Sequence, residues 1–435
     1  MMADGLRRPE RRVLAGAGAL AAGVVVAGIA LQAAGVELGT AVAPFVMVFN
    51  PQATAWALAA AGLLAAAVAL GPRLLATPRS PAALAACLFG AALLLGLAVS
   101  AARRGPSGWS HVFELGPGGS FEAKNEYLPG LSALEPGVWF FLDRFAEMVP
   151  SMPVNVGGHP PGLMLVIHVF SLDTAERLAA LCIASAAACA PLTYLLARNL
   201  LGDEVRARLA GVLVVASPVI LLYGTTSADA VYAAAGLVAA NVLLARRRRW
   251  RVLGFFVFAL ATLGTWALLA IGAWAAIVTW RREGLGPAVV LAAGCGVAVV
   301  AVNAVLALAY GYDPIGTLVA TEGLYRNSVA SVRPYWFWAL GSLVAWAVMV
   351  GPPITGAWLV ATLRARPEAL ALAAVVLIAS VMGFTKAETE RIWLPFSVLA
   401  CLGAASVLPP GRLRPVLAVL ALQALGVELL FDTIW

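Results

Sequence analysis

The stretch AALAACLFGAALLLGLAVSA, residues 82–101, decides the fold. Its 20 residues carry no charge, and as a helix rising about 1.5 Å per residue they cover the roughly 30 Å of bilayer hydrocarbon. The run is continuous and rich in Ala and Leu, whereas a barrel strand would alternate apolar and polar side chains. Only a helix or a closed barrel satisfies its backbone in lipid, so a helix is implied. Comparable apolar runs recur along the whole chain, with 62% hydrophobic and 12% charged residues, against about half and a quarter in soluble domains. The expected fold is all-α: a polytopic transmembrane bundle of about 11–13 spans, a single domain over 1–435, with a large outer first loop containing juxtamembrane helices.

Working outward from this run, Arg7, Arg8, Arg11 and Arg12 place the N-terminus in the cytoplasm. Spans near 13–34 and 52–70 then form an amino-terminal hairpin over 1–80, the run at 82–101 exits again, and the polar segment 102–160 lies outside. Arg103 and Arg104 are there against the positive-inside rule. The run 161–171 is too short to cross and must lie in the interface or re-enter. Spans near 175–197, 209–224 and 227–245 follow, the last ending at the strongest inside signal, Arg246 to Arg249. Residues 252–280, bounded by Arg251 and by Arg281 and Arg282, read as a short helical hairpin broken near Gly264 and Thr265, because a single span would turn every later basic loop outward. Spans near 287–310, 335–361 and 369–384 flank a second outer loop at 311–334 and an outer tip at 385–391, and two more spans complete a multi-pass cell-membrane protein.

The net charge of +7 sits in short clusters between apolar runs, the pattern of cytoplasmic loops and not of a nucleic-acid surface. Cys87, Cys182, Cys189, Cys295 and Cys401 lie within apolar runs without metal or disulfide spacing, and read as packing residues. No ligand set demands a metal.

The remaining polar features converge on the outer face, where grouped carboxylates and arginines suit a polar or anionic ligand. Loop carboxylates such as Glu114, Glu122 and Glu126 could each be merely solvated. Glu126 stands apart because Tyr127 and a Leu-Pro-Gly turn follow it and fix its position. His159, before Pro160 and Pro161, is pushed out of the helical region and its ring is aimed; alternatively the prolines simply open a helix. In the tip Lys386, Glu388, Glu390 and Arg391, lysine and arginine could hold a phosphate, or the tip could be a self-neutralising turn. Arg333, among aromatic residues that could equally form an interfacial belt, admits the same readings.

The order of these features resembles the GT-C class of integral-membrane glycosyltransferases, especially bacterial relatives of protein mannosyltransferases and of the lipid A aminoarabinose transferase. An acidic residue in the first outer loop, Glu126, is followed by the corner His159-Pro160-Pro161, by Tyr-Leu-Leu-Ala-Arg-Asn-Leu-Leu-Gly at 194–202, by Ser217-Pro218 before Asp229, and by Glu-Thr-Glu-Arg-Ile-Trp-Leu-Pro-Phe at 388–396. The likeness covers roughly 100–400. Two departures are three spans before the loop instead of one, which makes the amino-terminal hairpin a peripheral addition, and a glutamate where the family has an aspartate, which leaves Glu122 and Glu114 as substitutes for Glu126.

The resemblance implies transfer of a sugar from a polyprenyl-phosphate donor to a hydroxyl of a glycan, lipid or protein acceptor. Glu126 would be the general base, His159 would orient acceptor or phosphate, and Lys386, Arg391 and Arg333 would hold the leaving phosphate. Tyr127, Glu388 and Asp229 would line the substrate site; the class admits a divalent metal, and no other cofactor is implied. The rivals are a transporter or lipid flippase, which predicts inverted repeats and charges at the midplane, and a non-catalytic assembly subunit, which would tolerate loss of Glu126 and Arg391.

Overall fold

The computed structural model describes residues 6–77 and 79–434; residues 1–5 and 78 of the amino-terminal hairpin, and Trp435, lie outside the described residues. The chain is almost wholly helical, with one small antiparallel pair, Val48–Phe49 against Phe431–Asp432. Among the described residues six helices are long and apolar enough to cross a membrane: Arg8–Ala33, Trp56–Ala76, Pro81–Arg104, Ala175–Leu201, Leu285–Tyr310 and Pro410–Leu430. A bent pair, Tyr335–Val350 with Pro352–Leu363, raises the count to seven.

That is fewer than the 11–13 expected, and the reason is where the apolar runs break. The run at 335–361 bends by 112° at Gly351, whose φ of 113° is open to glycine and strained for other residues, and Pro352 then starts a new helix. The run at 209–224 is likewise divided at Pro218 between Glu204–Ala216 and Pro218–Tyr223. These two breaks dock on each other: the Ser217 hydroxyl donates to the Val350 carbonyl at 2.9 Å, supplying a partner to a carbonyl at the broken turn. Asp229–Leu243, Pro367–Met382 and Leu394–Ala405 have 15, 16 and 12 residues, or roughly 18–24 Å of helix. Such lengths are tolerated inside a bundle, where protein and not lipid surrounds the ends. Every residue of Leu394–Ala405 is buried, whereas Arg8–Ala33 and Leu285–Tyr310 turn most of their apolar side chains outward.

The hairpin expected at 252–280 is present as Arg248–Thr262 and Leu269–Glu283. Its base is closed by a two-pronged ion pair, Arg251 to Glu283 at 2.7 and 3.0 Å. At its tip the Leu263 carbonyl accepts from the Gly162 amide at 2.8 Å. A Cβ on Gly162 would fall 2.4 Å from that same carbonyl oxygen, so only glycine permits this approach. The helix that follows, Gly162–Val169, has 8 residues, too short to span. Residues 102–160 fold into successive short 3-10 and α turns, among them Leu128–Leu134 and Val138–Asp143.

Ion pairs and carbonyl contacts sort the loops onto two ends of the bundle. Arg364 pairs with Glu10, Arg208 donates to Thr77 O, Arg206 to Ala405 O, and Arg282 approaches Glu368. These are the basic loops. The segment 34–55, the loop 102–160, the turn at 224–229 and the tip at 385–391 gather at the opposite end, where the candidate site lies.

Candidate active site

The 3-10 turn Phe121–Asn125 delivers Glu126 into the protein interior, and the turn Leu128–Leu134 carries the chain away again. Glu126 is 1% exposed. Its Oε1 accepts from Asn155 Nδ2 at 2.8 Å, while its Oε2 is buried without a hydrogen-bond partner. Removing a carboxylate from water disfavours its charged form. Burial accordingly pushes Glu126 up to about 8, against the pull of Arg391 and with a further push from Asp229 and Glu122.

Asn155 couples this carboxylate to the His-Pro-Pro corner. Its side chain holds Glu126, and its carbonyl accepts from His159 Nδ1 at 2.8 Å. A carbonyl can only accept, so Nδ1 carries the proton and Nε2 of the neutral ring keeps its lone pair. Burial lowers the His159 pKa against the opposing charge of Asp229. The ring stacks on Tyr232 at 5.1 Å, and the Tyr232 hydroxyl bonds that of the buried Tyr127. Pro161 stands immediately before the helix Gly162–Val169, and the His159 ring is held between the Asn155 carbonyl and Tyr232.

Facing Glu126 is a buried charge chain. Arg391 Nη1 reaches Asp229 Oδ2 at 2.8 Å and its Nη2 reaches Glu388 Oε2 at 3.0 Å. Arg333 Nη2 takes the other oxygen of Glu388 at 2.8 Å and its Nη1 donates to the Lys386 carbonyl at 2.9 Å. Ser227 Oγ donates to Asp229 at 2.6 Å. Burial acts to raise Glu388, but Arg333 and Arg391 outweigh it and hold its carboxyl below the ordinary value. Ala387 and Glu388 have φ of 65° and 57°, two consecutive non-glycine residues in a left-handed conformation that costs of order 1–3 kcal/mol each.

The amino-terminal hairpin, expected to be peripheral, braces this tip. Glu390 is buried and its Oε1 accepts from the Val46 amide at 2.7 Å; burial pushes Glu390 up to about 7. The Leu38 carbonyl accepts from Trp338 Nε1 at 3.1 Å, and Leu38, Ala43 and Val46 share an apolar cluster with Phe337, Trp338 and Ala387. Gly39 lies so close to Arg333 that a Cβ there would meet its Cγ at 2.8 Å.

Of the residues singled out from sequence, Glu126, Tyr127, His159, Asp229, Glu388, Arg391 and Arg333 come together. Lys386 is adjacent, but its ammonium is tied to the Ala330 carbonyl at 2.7 Å. Glu122 accepts from Asn125 at 3.0 Å, and Glu114 from Ser110 at 2.7 Å, outside this network. Neither the tip nor Arg333 is a solvated surface feature. Asn155, Ser227 and Tyr232 were not anticipated, and Glu390 was read only as part of the charged tip; the spacing of Asn155 four residues before His159, and of Ser227 two before Asp229, was the available signal. Among the described residues no group of three His, Cys, Asp or Glu side chains is placed to hold a metal ion.

Compared with known proteins, the chain matches no family model, no curated protein and no solved structure. A functional reading rests on the chemistry of these side chains.

Proposed function

We propose that the chain is an integral-membrane glycosyltransferase of GT-C type, moving a sugar from a polyprenyl-phosphate donor to an acceptor hydroxyl with inversion. The observation that carries this reading is Glu126: a buried carboxylate with one unpartnered oxygen, tuned toward neutrality, within the field of Arg391. A base whose pKa lies near the working pH contributes about a hundred- to ten-thousand-fold to proton transfer. In the reaction, Glu126 takes the acceptor proton, the hydroxyl oxygen bonds to the anomeric carbon from the face opposite the phosphate, and the carbon–oxygen bond to the phosphate breaks. The electron pair leaves on the polyprenyl phosphate, where Arg391 and Arg333 stabilise it. Glu388 pairs with both guanidiniums and Asp229 with that of Arg391. Phosphate therefore binds by displacing a carboxylate, which the strained tip at 387–388 is placed to allow. His159, neutral and with Nε2 open, orients the acceptor.

One observation favours a transporter instead, namely the two broken helices docked at Ser217 and Val350, because discontinuous helices line substrate sites in transporters. Purified protein in lipid, supplied with radiolabelled polyprenyl-phosphate sugars, decides between them. Transfer with inverted anomeric configuration supports the transferase, while movement of the intact lipid-linked sugar across vesicles without transfer supports the transporter.

A further inference from the structure

At the end of the bundle remote from Glu126, a cavity of about 270 Å³ opens where the helices Ala175–Leu201, Arg248–Thr262 and Leu269–Glu283 meet. Arg246, Arg251, Arg282, Asn199, Thr279 and Glu283 line it, above a floor that includes Leu200, Leu244 and Val278. Three guanidiniums thus face one carboxylate. Glu283 is already committed to Arg251, and Glu368 lies behind Arg282 at 3.6 Å. Arg246 makes no hydrogen bond or ion pair among the described residues. The positive-inside rule accounts for arginines scattered over this end as solvated charges; here the partly buried side chains of Arg251 and Arg282 line one open cleft together with the exposed, unpaired Arg246.

We propose that this cavity holds a phosphate group, carried by an anionic lipid headgroup. Planar guanidiniums bind phosphate oxygens through paired charge-assisted hydrogen bonds, and basic pockets between helices are a recurrent form of headgroup site. The rim identifies the lipid source. Trp250 and Val252 on Arg248–Thr262 and Trp280 on Leu269–Glu283 are exposed on helices that also contribute residues to the cavity, apolar surface for acyl chains beside two tryptophans of the kind that mark the membrane interface. The site owes nothing to the glycosyltransferase reading and stands or falls separately.

The full chain in neutral detergent, titrated calorimetrically with dioctanoyl phosphatidate, dioctanoylglycerol and inorganic phosphate, tests the assignment. Saturable binding is expected for phosphatidate and absent for the uncharged diglyceride, with inorganic phosphate weaker than the lipid. Arg246→Glu should weaken phosphatidate binding by about tenfold or more, a factor that corresponds to one lost strong contact. Arg248→Glu makes the same charge change on an exposed neighbour outside the cavity and should weaken binding far less. Melting temperatures equal to wild type establish that both variants fold. Equal weakening by the two variants, or no saturable binding, would overturn the site; equal affinity for inorganic phosphate and phosphatidate would overturn the lipid assignment.

Discussion

At the scale of single residues, Glu126 sets the pH behaviour. A base works only when deprotonated, so kcat/KM should rise as pH rises through about 8 and then level, since this ratio reports the free enzyme. A profile already flat from pH near 5 would contradict the role of burial. The same raised value has a stability consequence of definite sign. Folding favours the protonated form, so the stability Glu126 supplies is full below its ordinary value of 4.5 and is lost as pH rises through about 8. Over that window the melting temperature of wild type should fall more than that of Glu126→Gln, which has no proton to lose. Arg391 carries the opposite lesson. Truncating it to alanine leaves Asp229 buried beside no compensating guanidinium and Glu388 with Arg333 alone, which should destabilise by about 3–5 kcal/mol. Because these side chains share one network, Asp229→Ala combined with Arg391→Ala should cost less than the two single changes added together, as read from denaturation curves.

At the scale of elements, the legible parts were those where charge marks both ends. The hairpin over 252–280 was readable because Arg251 and Arg281-Arg282 constrain it from either side, and the short helix after His159 because its apolar run is simply too brief. The break at Gly351 was obscured because apolar residues continue on both sides, and hydropathy does not register φ. Alanine at 351 should destabilise by of order 1–3 kcal/mol, the strain of a side chain at positive φ, without changing the sidedness of either end. Hidden entirely was the bracing of the tip by the linker at 34–55, since Glu390 and Val46 are 344 positions apart and no local pattern joins them. Glu390→Ala should speed hydrogen exchange at the Val46 amide while leaving the helix Leu285–Tyr310 as in wild type. Unchanged protection at Val46 would mean that the bond does not hold the linker.

At the scale of the whole molecule, the described residues hold six helices long and apolar enough to cross a membrane, with shorter apolar helices beside them. Apolar composition follows from burial in lipid or in protein alike, so a wholly buried helix such as Leu394–Ala405 looks like a span although it has only 12 residues. The sorting of loops survives this ambiguity, because basic loops gather on one end and Glu126, Asp229 and Arg391 on the other. A cysteine at Leu115, 56% exposed in the first loop, should react with a membrane-impermeant thiol reagent in intact cells, and one at Arg366 only after the cells are opened. Labelling of both from the same side would undo the topology. The most direct test of the central claim is sugar transfer measured side by side for wild type and Glu126→Gln in the same lipid with the same polyprenyl-phosphate donor. Our account predicts that the wild type transfers sugar and that the variant, with its melting behaviour intact at neutral pH, is slower by about a hundredfold or more; equal rates in the two proteins would contradict it.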